Sequence, residues 1–401
     1  MPDKIICIHI GARAHYLLPK ALAAQNKLEM LVTDTWIKDA WLRKLLLKFP
    51  VRMVKSLASR FAPEIKSSQV KDFSLAFLLE EMKLRLQRKK DWQLILARNT
   101  AFQQKALPLF LQLPRATVLG ISYTSLDIFT AAAERKQKTI LFQVDPAIKE
   151  EEIVADITSA NAHVYPSAWQ KAPAALWENW RKECSLSDVI MVNSEWSRKG
   201  LIAEGIPQEK IKVVALPYQL TNAHMSFVRN YPAAFTKERP LRCLFLGTLT
   251  LRKGIHLVLE AARLLQNAPI EFILVGSSEI AEEQLQQPNV QYKGLATRAE
   301  TDAFYKTADV FLFPTFSDGF GLTQLEAMAW QLPVIATPYC GEVVTDQHDG
   351  VILAENTAAA LASSLQTFVE SPAALQALSA NCLSTAKKYN TERFAKELAS
   401  L

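Results

Sequence analysis

Short apolar runs without polar alternation, each followed by a helix-like stretch, constrain this chain more than any other feature. "KIICIHI", "LEMLVTD", "ATVLGIS", "KTILFQVD" and "SDVIMVNS" recur through the first half. A strand with one wet face alternates polar and apolar residues. These runs do not, so both faces are expected under cover, as in a parallel sheet between two helical layers. The pattern restarts at "LRCLFLGTL" and continues through "IEFILVGSS", "VQYKGL", "VFLFPT" and "LPVIATP". The spacing predicts two doubly wound, Rossmann-like α/β domains, 1–216 and 239–380, joined by the irregular, proline-bearing stretch 216–238. A helix within 381–401 closes the chain. Ligands of such sheets lie beyond the strand C-termini, which predicts a cleft between the domains.

A chain of 401 residues, 49% hydrophobic and 21% charged, has the length and apolar content for two such cores. No apolar run reaches the eighteen residues of a membrane span, and the first residues read as strand and turn rather than signal peptide. Five scattered cysteines without a CxxC pair fit a reducing, cytoplasmic setting. The net charge of +6 suits anionic partners. No recognised nucleic-acid module accompanies it, so nucleic acid is not an expected partner. The histidines are dispersed and no DxD pair offers adjacent carboxylates, so neither a metal nor another cofactor is expected.

Residues 36–115 read as a basic helical insertion. "WIKDAWLRKLLLKFPVRMVKSLASRF" mixes Trp36, Trp41, Leu45, Leu46, Phe49 and Val54 with Lys38, Arg43, Lys44, Lys48, Arg52, Lys55 and Arg60. Such a mixture fits a peripheral position on an anionic membrane surface. The alternative is a helix that packs inward with its cations solvated.

"FSDGFGLTQLEAMAW", residues 316–330, pairs a glycine-rich turn with two acids. Gly319 and Gly321 let backbone N–H groups approach an anion, and the following helix N-terminus favours negative charge. Glu326 lies about one turn into that helix, where a carboxylate can accept two vicinal hydroxyls.

The ordered set "NSEWSRKGLIAEGIPQEKIKVVALPYQ", "FLGTLTLRKGIHLVLEAARLL", "FILVGSS", "VQYKGLATRAETDAFYKTADVFLFPT" and "FSDGFGLTQLEAMAWQLPVIAT" resembles the retaining glycosyltransferases of family 4, which have the GT-B fold. The resemblance implies a nucleotide-sugar donor, a hydroxyl acceptor in a glycan or on a lipid, and a metal-independent diphosphate site. Lys253 matches the family lysine on the donor diphosphate, Asp318 the acid on the sugar (usually Glu), and Glu326 the ribose acid. Thr248 stands where the family often has Arg; Arg252 either supplies that charge or points into solvent. Gly276 and Ser277 end a strand toward phosphate or sugar, Leu295 belongs to the base-binding edge, and Phe320, Leu322 and Thr323 complete the donor loop. In the first domain Gly11 fits the turn facing the diphosphate, with Arg13 and His15 on the acceptor side. Gln143 replaces the histidine many relatives place there, and Asp145 becomes the candidate acceptor base or orienter. The same motifs also suit a nucleotide-sugar epimerase, a sugar phosphorylase, or a non-catalytic scaffold that binds nucleotide sugars.

Overall fold

The computed structural model describes residues 4–38, 41, 44–45, 57 and 60–401. Two parallel sheets form the frame. The first has seven strands in the order β3-β2-β1-β4-β5-β6-β7. These are β1 (Ile5–His9), β2 (Leu28–Thr33), β3 (Val70–Asp72), β4 (Thr117–Ile121), β5 (Thr139–Gln143), β6 (Val189–Val192) and β7 (Ile211–Val213). The second has six in the order β10-β9-β8-β11-β12-β13. They are β8 (Leu241–Leu246), β9 (Ile270–Val275), β10 (Val290–Tyr292), β11 (Val310–Phe313), β12 (Val334–Ala336) and β13 (Gly350–Ile352). The order reverses between β1 and β4, and again between β8 and β11, so each sheet opens a crevice at that point. This is the GT-B architecture.

Burial explains the missing alternation. All five residues of β1 and all five of β5 are buried, because helices cover both faces. One apolar cluster runs from Leu119 and Met191 of the first sheet through Phe394 to Phe313 and Phe320 of the second domain. The closing helix Thr391–Ala399 packs on the helix Leu17–Ala24 of the first domain, and Lys27 donates to its Ala399 carbonyl at 2.7 Å.

The connecting stretch is tied to the second domain. Arg229, 5% exposed, donates to the Tyr305 carbonyl at 2.6 Å, to Trp330 O at 2.9 Å, and to Ala308 O. A buried guanidinium is tolerated because these carbonyls accept its protons.

Two expectations about 36–115 need correction. Residues 70–72 are an edge strand of the first sheet, and the helix Asp91–Leu111 buries Phe102, Ala106 and Phe110 in the core. Much of the supposed insertion is therefore regular domain structure. Trp36 is also buried, edge-on to Tyr16 at 5.2 Å, and Arg60 pairs with buried Asp34 at 3.3 Å; neither is offered to a membrane. Trp41 and Leu45 are exposed. Arg43, Leu46, Lys48, Phe49, Arg52, Val54 and Lys55 lie outside the described residues.

Candidate active site

The strand C-termini of both sheets meet around one cleft of about 500 Å³. From the second domain Thr248, Thr250, Leu251, Arg252 and Lys253 line it; from the first come Tyr123, Asp145, Glu150 and Trp177.

The loop after β8 is shaped by what glycine allows. Gly247 has φ +147°, and a Cβ there would lie 3.5 Å from the Lys253 Nζ. Gly254 (φ +78°) precedes the helix Ile255–Leu264, and any side chain there would strike the Pro314 carbonyl. The loop thus folds back so that the Lys253 ammonium faces the segment after β11. Its Nζ is 3.4 Å from Asp318 Oδ2 and 5.8 Å from the Phe313 ring centre. Arg252 does not point into solvent. Its NH1 donates to Ser317 O at 2.6 Å and lies 3.4 Å from Glu150 Oε2 and 3.8 Å from Asp318 Oδ2. Burial alone would weaken its charge; the flanking carboxylates outweigh that and raise its pKa.

Glu150 was not anticipated. It belongs to the first turn of the helix Ile148–Asn161 and accepts from Ser317 Oγ at 2.7 Å across the domain boundary. Burial, opposed by Arg252 and reinforced by Asp145, pushes its pKa up to about 7. A folded-state pKa above the ordinary value means that the native protein holds this proton more tightly than the unfolded chain between about pH 4.5 and pH 7. The group's contribution to stability therefore falls as pH rises through that window. Once ionised, Glu150 competes with any bound anion for Arg252. The apparent affinity for an anionic ligand is expected to weaken as pH climbs through about 7, and Glu150→Gln should flatten that dependence. Calorimetric titration with a nucleoside diphosphate from pH 6 to 8 checks it; an unchanged slope in the variant would refute the competition.

The quoted glycine-rich turn works differently from its sequence reading. A Cβ on Gly319 would collide with the Val144 carbonyl of the first domain, and Gly319 O accepts from Ser194 Oγ at 2.6 Å. The contact between the two domains is enough to exclude any side chain at Gly319. Gly321 (φ +78°) leaves room for the Phe313 ring, and Phe320 is buried, 6.1 Å from the Tyr389 ring. Leu322 packs against the apolar cluster. What the turn does present is the N-terminus of the helix Leu322–Ala329. Beside it the buried Thr323 hydroxyl has no hydrogen-bond partner, a polar atom that a ligand could satisfy. Glu326 is half-buried and accepts from Tyr305 OH at 2.9 Å, which fixes the carboxylate.

Gly276 (φ +140°) is where the loops after β8 and β9 meet, since a Cβ would strike Gly247 O; Ser277 O accepts from Leu249 N at 2.8 Å. Leu295 is exposed. In the first domain Gly11 N donates to Asp34 Oδ1 at 2.9 Å, and Arg60 lies over it, so its amide is already engaged. Arg13–Tyr16 form a 3-10 turn with His15 exposed; the Arg13 side chain is outside the described ones. Neither Gly11 nor His15 lines the cleft described above.

Gln143 is fully buried and does not face the cleft. It positions Asp145 instead. Its Nε2 donates to Asp145 Oδ1 at 2.8 Å and to Tyr123 OH at 2.9 Å, while its Oε1 accepts from Trp180 Nε1 at 2.9 Å. Tyr123 OH and Ala147 N also donate to the same Asp145 oxygen, at 2.6 and 2.9 Å. With three donors on one oxygen the carboxylate is held rigidly at the cleft wall.

A lysine–aspartate pair on a helix-headed loop, facing a fixed carboxylate across two Rossmann-like domains, places the chain among GT-B proteins. Residues 240–371, most of the second domain, match the family model Glycosyl transferases group 1. The putative colanic acid biosynthesis glycosyltransferase WcaL of Salmonella typhimurium is 26% identical, over 53% of this chain and 55% of its own. The amylovoran biosynthesis glycosyltransferase AmsK of Erwinia amylovora is 28% identical over 44% of this chain and 46% of its own. The chain spans about half the length of the curated relatives it matches. Anabaena Alr3699/HepE, solved in complex with UDP, shares the fold at TM-score 0.63 and 15% identity, over 99% of this chain and 98% of that one.

Proposed function

We propose that this protein is a hexosyltransferase that moves a sugar from a nucleotide-sugar donor to a hydroxyl of a glycan or lipid-linked acceptor, with retention of configuration, in cell-surface polysaccharide or glycolipid synthesis. The observation that carries this reading is the Lys253–Asp318 contact of 3.4 Å opposite Asp145. Lys253 and Arg252 receive the diphosphate and stabilise the charge that grows on it as the glycosidic bond breaks. With two cations there, no metal or other cofactor is required. Asp318, displaced from Lys253 by the phosphate, accepts hydroxyls of the transferred sugar. Glu326 holds the ribose, with Leu295 on the base side and Gly276 toward phosphate or sugar. The acceptor hydroxyl approaches past Asp145, and the departing phosphate oxygen takes its proton. The relatives named for polysaccharide synthesis, and the UDP bound to the Anabaena protein, support the donor and acceptor classes. The same reading gives a cytoplasmic protein that works at the membrane's inner face.

Two substitutions separate the roles. Glu326→Ala should raise the donor KM and weaken free nucleotide together, because a ribose contact exists in ground and transition states alike. Asp318→Ala should instead depress kcat while nucleoside diphosphate affinity stays within about threefold. Equal losses of nucleotide affinity in both variants would contradict the division.

A further inference from the structure

The helix Ser74–Leu86 turns a row of large apolar side chains to solvent. Leu75, Leu79, Met82 and Leu86 are 73%, 57%, 60% and 81% exposed, with Leu78 at 38% beside them. Their spacing puts them on one side of the helix. The other side is already used: Phe77 and Leu84 are buried, and Glu81 pairs with Arg98 of the next helix. The exposed row is therefore surplus to the fold, and an uncovered apolar stripe of this size marks a contact surface.

Charge identifies what covers it. Lys83, Arg85, Arg88 and Lys90 are exposed along and just beyond the row. The acids of the helix are both engaged, Glu80 with Lys83 at 3.5 Å and Glu81 with Arg98. An apolar stripe rimmed by cations matches the acyl and headgroup layers of an anionic bilayer, with the helix lying in the surface plane. At the C-terminal end of the row the chain turns into the helix Asp91–Leu111, whose Trp92 and half-exposed Ile95 line the cleft. The apolar row thus leads toward the cleft mouth.

We propose that the Leu75–Leu86 face docks on an anionic lipid bilayer and so brings the cleft to acceptors held at that surface. The second half rests on the acceptor reading given above; the docking does not. The test is co-sedimentation of the full chain with phosphatidylglycerol–phosphatidylcholine vesicles and with phosphatidylcholine alone. Wild-type protein should sediment with the anionic vesicles, less so as salt rises. The double change Leu79→Asp with Met82→Asp should lower the binding constant by at least about tenfold. Lys83→Glu with Lys90→Glu should lower it by a similar factor and remove most of the salt dependence. Both variants alter exposed positions, so melting temperature and turnover with a soluble acceptor should stay at wild-type values; loss of turnover in wild type too would count against the enzymatic reading and leave the docking result standing. Wild-type protein that stays in the supernatant overturns the proposal. So does undiminished binding of the Leu79, Met82 variant, which would place the contact elsewhere, or a concentration-dependent dimer abolished by that variant without vesicle binding, which would make the face an interface between copies.

Discussion

Lys253→Met is expected to lower kcat by about 100- to 1000-fold, the range seen when one preorganised group that stabilises developing charge is removed. Methionine keeps an unbranched side chain of similar length while deleting the ammonium that lies 3.4 Å from Asp318 and 5.8 Å from the Phe313 ring centre. Affinity for the intact nucleotide sugar should fall much less, because its diphosphate carries less negative charge in the ground state than in the transition state, where the glycosidic bond is breaking. Lys253→Arg should recover part of the loss. Steady-state release of nucleoside diphosphate, measured with and without acceptor, gives the number. A kcat within a few-fold of wild type would remove Lys253 from the account of leaving-group stabilisation.

Asp145→Asn should reduce kcat by about 100-fold or more, in the range of a lost acid–base or orienting carboxylate. The geometry makes this a clean substitution. The bonds from Tyr123, Gln143 and Ala147 all end on Oδ1, so an amide can keep them through its carbonyl oxygen and replace only the other oxygen. Melting temperature and donor KM should therefore hold. An unchanged kcat would confine Asp145 to supporting its own loop, and a large drop in melting temperature would show that the charge itself is structural.

The parts of the site legible in the sequence are those built within one strand–loop–helix unit. Lys253 follows β8 and Asp318 follows β11, and each local pattern says that a residue stands at a strand C-terminus facing the cleft. Contacts that join distant segments leave no such mark. Glu150 is 167 residues from Ser317, and nothing in "DPAIKEEE" distinguishes it from Glu151 or Glu152, which solvent and other partners occupy. Gly319 shows the matching limit: the sequence reveals that no side chain is tolerated, but not whether a ligand or the Val144 carbonyl excludes it. In the basic stretch, counting charges could not separate Arg60, held on buried Asp34, from cations at the surface. The strands β3, β7 and β13 stand at sheet edges and have a single buried residue each, so burial imposes no long apolar run on them. The frame of two sheets was legible because its central strands are covered on both faces, which dictates unbroken apolar runs.

The central claim is that a sugar leaves a nucleotide on this cleft and joins an acceptor. Proton NMR of the full-length protein incubated with nucleotide sugars and a panel of glycan and lipid-linked acceptors tests it in one measurement. The account predicts nucleoside diphosphate release that requires an acceptor, and a product whose anomeric coupling matches that of the donor. Release independent of any acceptor, an inverted product, or binding without turnover across the panel would contradict it.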